Sequence, residues 1–314
     1  MTSPSSNGEP APAAPAVPAA AAAPAGERRR KVIYTVNDHP IVVREEGKSR
    51  QVALLIHGWS SSWFALSPLM PMLSERFRCI AVDLPGYGES PPGRGRASIA
   101  GYADLLIGLA QQITDQPVTL IGHSMGGMIS LTMALRNPQL VERMVLLCPT
   151  ISGHLSMFID LFISPITLME RFPLTGRLVA ALEPQMLSLT DRLMRPASFA
   201  ERTGISEMDY HRLRSDARRP GQGRVRAECY WAMRAGDLRG RLGQIKAPSL
   251  VLWGMEDNTV PLRDASVVAD EWPDADLRVI PKAGHWPQFE TPEKTERYTR
   301  AFLSTPIKLL KMQF

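Results

Sequence analysis

The chain has 314 residues, 44% hydrophobic and 21% charged, with a formal net charge of +5. That balance suits one large globular domain or two modest ones and excludes a collagen-like, disulfide-dense or wholly disordered chain. No run of 18 uninterrupted apolar residues is present, so no helical membrane span is expected.

Residues 1–31 are expected to form a disordered tail. Most of the first 26 are Ala, Pro, Ser or Gly, with proline at 4, 10, 12, 15, 18 and 24. Such a segment buries too little apolar surface to offset its ordering entropy. A secretory signal is the competing reading. It fails because prolines break the apolar run and the charges Arg28-Arg29-Arg30-Lys31 follow it instead of preceding it.

Lys31 to Val36 and Ile41 to Arg44 read as short strands around an Asn37-Asp38 turn. Val52 to Ile56 is a solid apolar run, the mark of a strand buried on both faces, and ends in His57-Gly58-Trp59. A helix is expected next, with Phe64, Leu69 and Leu73 inward. Cys79 to Val82 is another buried strand. From Ser98, a plausible N-cap, Ile99, Tyr102, Leu106, Leu109 and Ile113 lay one apolar face on a helix. Val118 to Ile121 is a strand running into Gly122-His123-Ser124-Met125-Gly126, and a helical pattern follows to Asn137-Pro138. Met144 to Leu147 is a sixth strand.

The alternation then stops. Residues 150–240 carry Met, Leu, Phe and Arg at helical spacings and no clear buried strand, so a helical insertion is expected there. Between Asp191 and Arg226 nine Arg face five acidic residues. Attraction of an anionic substrate or lipid surface competes with a plain solvated helix face, and no nucleic-acid motif accompanies the charge. Strands resume at Ser249 to Trp253 and at Leu277 to Ile280, separated by a helix over about 261–272; Thr291-Pro292 opens a last helix as N-cap and first helical residue. The ranges 32–149 and 241–306 thus form one core interrupted by the insertion.

Strand alternating with helix means a mainly parallel sheet, here of eight strands, with helices on both faces. Ligands bind such sheets outside the carboxyl ends of the strands. The His57 loop, Ser124, Asp257 and His285 all stand at such ends. A serine hydroxyl is a poor nucleophile without a base, and the base needs an orienting group. Ser124 on a sharp strand–turn–helix is the candidate nucleophile, His285 the base and Asp257 the orienter. The competing readings are a plain glycine-rich turn for Ser124 and a helix cap for Asp257. Asp83 is a rival carboxylate, His57 a support for its loop, His123 a structural neighbour, and Glu256 a solvated one. The histidine spacing shows no zinc pattern, and no metal or cofactor is expected. Cys79, Cys148 and Cys229 have no motif spacing and fit reduced thiols of a cytoplasmic protein.

With HGWSSSW (57–63), DLPGYGES (83–90), GHSMGG (122–127), VLWGMEDNTVP (251–261) and AGHWPQFE (283–290), the chain resembles the cap-bearing α/β-hydrolase fold family over about residues 32–304. The resemblance implies an oxyanion hole from the backbone N–H groups of Trp59 and Met125, and a turn role for Asp83. It also implies that residues 150–240 are a helical cap after the sixth strand. Met157, Phe158 and Phe162 are candidates for lining an apolar substrate pocket, with packing of the cap on the core as the alternative; Trp63 and Trp286 are candidate walls. The serine argues against relatives that use an aspartate nucleophile, the haloalkane dehalogenases and epoxide hydrolases. A small-molecule carboxylic-ester hydrolase is the leading expectation. A hydrolase of carbon–carbon bonds in ring-cleavage products usually has Asn where this chain has His123. A perhydrolase-like member and a non-catalytic small-molecule receptor are the other readings.

Overall fold

A computed structural model of the chain describes residues 29–169, 195, 198–201, 204–217, 219 and 222–310, without the side chains of Phe158, Phe162, Ala217 and Lys308. The tail expected before residue 29 lies outside the described residues.

Eight strands form one sheet: β1 (Arg30–Val36), β2 (His39–Glu46), β3 (Val52–Ile56), β4 (Arg78–Val82), β5 (Val118–His123), β6 (Val141–Leu147), β7 (Ser249–Gly254) and β8 (Ala275–Ile280). Their order is β1-β2-β4-β3-β5-β6-β7-β8. β2 pairs antiparallel with β1 and β4, and every other pairing is parallel. The first hairpin turns at Asn37 and Asp38, both at positive φ (49° and 59°), the geometry a two-residue hairpin loop demands. β1 begins at Arg30, inside the segment assigned to the tail.

The solid apolar runs follow from burial on both faces. In β3, Val52, Leu54 and Ile56 join one core cluster while Ala53 and Leu55 join the other. β4 divides likewise, Ile80 and Val82 against Cys79 and Ala81. On the first face pack α2 (Ile99–Ile113), α3 (Met125–Arg136) and α7 (Leu262–Glu271). On the second pack α1 (Met70–Ser74), α9 (Pro292–Ser304) and α10 (Ile307–Leu310); α8 (Pro287–Glu290) precedes α9. Between β6 and β7 the described residues contain α4 (Met157–Met169), α5 (Glu207–Ala217) and α6 (Gly223–Ala235). No described helix is long and apolar enough to cross a membrane.

Two local expectations fail for identifiable reasons. The helix expected around Phe64 to Leu73 is instead a short 3₁₀ turn, Trp63–Leu66, followed by α1. Pro68 and Pro71 lack N–H donors and cannot continue a helix through that stretch. Ser98 does cap α2, accepting from Gly101 N–H at 3.0 Å, but Thr291 makes no such bond at the start of α9. Its hydroxyl donates backward to the Pro287 carbonyl at 3.2 Å.

Candidate active site

β5 delivers Ser124 at the top of the sheet. The residue has φ 55° and ψ −120°, a conformation that costs of order 1–3 kcal/mol for a non-glycine residue. Its backbone is over-determined. Ser124 N–H donates to the Leu147 carbonyl at 3.0 Å, and its carbonyl accepts from Gly127, Met128 and Thr150. The turn is tight enough that a Cβ on Gly126 would lie 2.0 Å from the Ile56 carbonyl oxygen. α3 starts at Met125, so its first N–H groups point out of the helix beside Ser124. Among the described residues neither Met125 N–H nor Trp59 N–H has an acceptor.

Asp257 follows β7 and His285 follows β8. His285 Nδ1 and Asp257 Oδ2 are 2.8 Å apart, and both residues are buried. The other carboxylate oxygen of Asp257 accepts from Thr259 N–H (2.8 Å) and Val260 N–H (3.0 Å). A carboxylate so bound accepts the Nδ1–H of His285, which leaves Nε2 as a bare lone pair. His285 is tied to the nucleophile strand: its carbonyl lies 2.8 Å from His123 Nε2, on the residue before Ser124. The rim therefore gathers the three chemistry-bearing residues that the sequence singles out. Ser124 Oγ and His285 Nε2 make no hydrogen bond with each other.

The loop after β3 is held by His57. Leu84 N–H donates to Nε2 at 3.0 Å, so Nε2 is an acceptor and Nδ1–H donates to the Gly58 carbonyl at 2.7 Å. Complete burial pushes the His57 pKa down to about 4, which keeps this neutral tautomer in place. Gly58 is forced by proximity, since a Cβ there would stand 2.9 Å from Ser124 Cβ. Asp83 serves its turn: its oxygens accept from Trp63 N–H and Glu89 N–H, both at 2.9 Å.

Several neighbours were not visible in the sequence. Glu290 accepts from Gly284 N–H, Trp286 N–H and Ala200 N–H, bracketing His285 on both sides. Ser198 accepts the His285 N–H at 2.8 Å. Glu256, expected to be merely solvated, accepts from Lys282 and Ala283 N–H and so braces the same loop. Only the run AGHWPQFE hinted at Glu290. Cys148, after β6, brings its sulfur within 4.8 Å of donor atoms of Asp257 and His285. Burial raises the pKa of this thiol well above its ordinary value and keeps it protonated. The 2.8 Å Asp257–His285 separation fits a shared proton; two ligands of one tetrahedral zinc would stand about 3.3 Å apart or more. All three cysteines are free and buried.

The pocket candidates divide. Trp286 joins the rim, 4.4 Å from the His123 ring and stacked on Phe199 at 6.2 Å. Trp63 does not; its ring contacts are Phe64 and the guanidinium groups of Arg29 and Arg44. Met157, on α4, is 87% exposed, because the inward face of that helix is taken by residues such as Ile159. The side chains of Phe158 and Phe162 lie outside the described residues. The Trp59 indole reaches the opposite way, donating from Nε1 to the Arg226 carbonyl of α6 at 2.8 Å.

Comparison with known proteins gives a consistent picture. A family model described as alpha/beta hydrolase fold matches residues 52–292. An uncharacterized hydrolase of Bacillus subtilis, YugF, is 29% identical over 266 residues, covering 82% of this chain and 92% of its own. A 2-hydroxy-6-oxo-6-phenylhexa-2,4-dienoate hydrolase of Burkholderia cepacia is 29% identical over 254 residues, covering 79% and 83%. Among solved structures, an esterase from Exiguobacterium antarcticum superposes with a TM-score of 0.73 at 23% identity, covering 88% of this chain and 100% of that one.

Proposed function

The chain belongs to the α/β-hydrolase fold family and is an enzyme of that class, and from that premise we propose that it is a serine hydrolase cleaving carboxylic esters of fairly apolar substrates through an acyl-enzyme. Ser124 attacks the ester carbonyl while His285 Nε2 takes the hydroxyl proton. The developing oxyanion is received by the N–H groups of Met125 and Trp59, a term worth about 10²–10³ in rate for each donor. His285 returns the proton to the leaving alcohol. Water then attacks the acyl-enzyme with His285 again as base, and the acid leaves. Asp257 holds the tautomer throughout and stabilises the imidazolium.

The observation that carries this reading is the 2.8 Å bond from His285 to a buried, doubly anchored Asp257, on a ring whose own peptide binds the residue beside Ser124. Residues 150–240 act as the cap of the site. Support comes from Trp59 bonded to α6 and from Phe199 stacked on Trp286.

A second reading, hydrolysis of a carbon–carbon bond in a ring-cleavage dienoate, is favoured by the names of relatives such as the Burkholderia cepacia enzyme. His123, standing where that group usually has asparagine, favours the ester.

The test is turnover of p-nitrophenyl esters of graded chain length beside a ring-cleavage dienoate, with Ser124→Ala as control. The expected result is ester turnover and fluorophosphonate labelling, both lost in Ser124→Ala. Preference for the dienoate would replace the first reading with the second. An inert, unlabelled wild-type protein would remove both.

A further inference from the structure

His123 ends β5 and is 1% exposed. Its Nε2 lies 2.8 Å from the His285 carbonyl oxygen, which can only accept, so Nε2 carries the proton. A neutral imidazole has one N–H, and Nδ1 is therefore a bare acceptor. That atom is buried and has no hydrogen-bond partner among the described residues. Nor is it protonated, because burial, reinforced by the neighbouring His285, drives the His123 pKa well below its ordinary value. A buried acceptor without a donor destabilises the fold. The compensation lies at the other nitrogen.

His285 sits in irregular chain after β8. Asp257 grips only its Nδ1, and a ring held at one atom can still swing about its Cα–Cβ bond. The His285 peptide, however, is clamped from both sides: its N–H donates to Ser198 and its carbonyl accepts from His123. Because Ser124 directly follows His123 at the end of β5, this second bond ties the base-bearing segment to the nucleophile-bearing turn. The ring also fills the space between the parts it joins. Its centroid is 4.8 Å from the His285 ring and 4.4 Å from the Trp286 ring. On its far side, a Cβ on Gly58 would lie 3.2 Å from Nδ1.

We propose that His123 is a positioning residue: its Nε2–H fixes the His285 peptide, and through it the imidazole, in register with Ser124. The proposal rests on the serine-hydrolase reading for its effect on rate, but its geometry is tested separately. His123→Phe keeps a flat ring against Trp286 and deletes the donor; His123→Gln keeps an amide N–H of similar reach. The Phe variant is expected to lower kcat about 10- to 100-fold, as displacement of a catalytic group does, with KM unchanged within about twofold. Its thermal midpoint is expected to stay close to that of the wild type, since the orphaned Nδ1 is gone while the His285 carbonyl loses its donor. The Gln variant recovers most of kcat. A merely structural histidine would instead lose stability and activity together in both variants, and that pattern overturns the proposal, as does an unchanged kcat in His123→Phe. A crystal structure of His123→Phe gives the readout independent of turnover. A displaced His285 peptide supports the proposal. An unmoved peptide with the ring still bonded to Asp257 refutes it, even if the wild type were to cleave no ester.

Discussion

Asp257 shows how much one side chain is asked to do. Its Oδ1 is occupied by two backbone N–H groups, and only Oδ2 faces His285. In Asp257→Asn the amide oxygen would stay with the two backbone donors, turning the NH₂ toward the ring. Nδ1 would then have to accept, the proton would move to Nε2, and the Nε2 lone pair would vanish. Shape and burial are nearly unchanged. The expected outcome is therefore a fall in kcat of order 10⁴ with KM and thermal midpoint little altered. Steady-state kinetics on the best p-nitrophenyl ester check it; a loss below about tenfold would return Asp257 to the role of a loop cap. Asp257 and His285 were legible in the sequence because each stands just past a strand end. Glu290 was not, because a glutamate near a helix start reads as an ordinary helical charge. Two of its bonds, to Gly284 and Trp286, are local in sequence, but the third, to Ala200, forms only once residues 90 positions apart meet.

The contact between α3 and β3 is what makes the serine turn so tight. Helix and strand approach so closely that a methyl group on Gly126 would press on two backbone oxygens, those of Ile56 (2.0 Å) and His57 (2.6 Å). Backbone atoms cannot rotate out of the way as a side-chain tip does. Gly126→Ala must move the helix start, where Met125 N–H is presented, or the strand end, where the His57 loop begins. Overpacking of this kind costs about 1–3 kcal/mol. A lowered urea midpoint together with a fall in kcat is expected. A variant with wild-type kcat would show that the close approach belongs to packing alone. The same strands explain why most of the fold was readable: sides alternate within β3 to β7, yet both sides are buried, so the pattern is an unbroken apolar run. Where prolines interrupt an apolar helical spacing, as at Pro68 and Pro71, periodicity overstates the helix. Between β6 and β7 the spacing announced helices without saying which faces turn inward, and Met157 turned outward.

At the scale of the whole molecule, two buried groups under the same rim titrate against each other. Burial depresses His57 from 6.5 to about 4. In the unfolded chain this histidine takes up a proton first, so its contribution is intact above pH 6.5 and is lost as pH falls toward 4. Burial raises Asp83 from 3.8 to about 6, only partly countered by the Trp63 and Glu89 N–H bonds. Here the folded state takes up the proton first, so stability is gained as pH falls from 6 toward 3.8. Each gap corresponds to about 3 kcal/mol, with opposite signs over nearly the same window. The wild type therefore shows little net pH dependence from this pair. His57→Gln supplies one donor and one acceptor for Gly58 and Leu84 but does not titrate, and it leaves the Asp83 term uncovered. At pH 7 the variant is expected to be the less stable protein, because an amide fits the two partners less well. Between pH 7 and pH 4.5 that deficit should shrink by roughly 2–3 kcal/mol, as the wild type loses its histidine contribution and the variant has none to lose. Urea unfolding of both proteins across this range measures the difference directly. A deficit that stayed constant would mean that His57 is protonated in the folded protein, and the tautomer that holds the Gly58–Trp59 loop would then need another source.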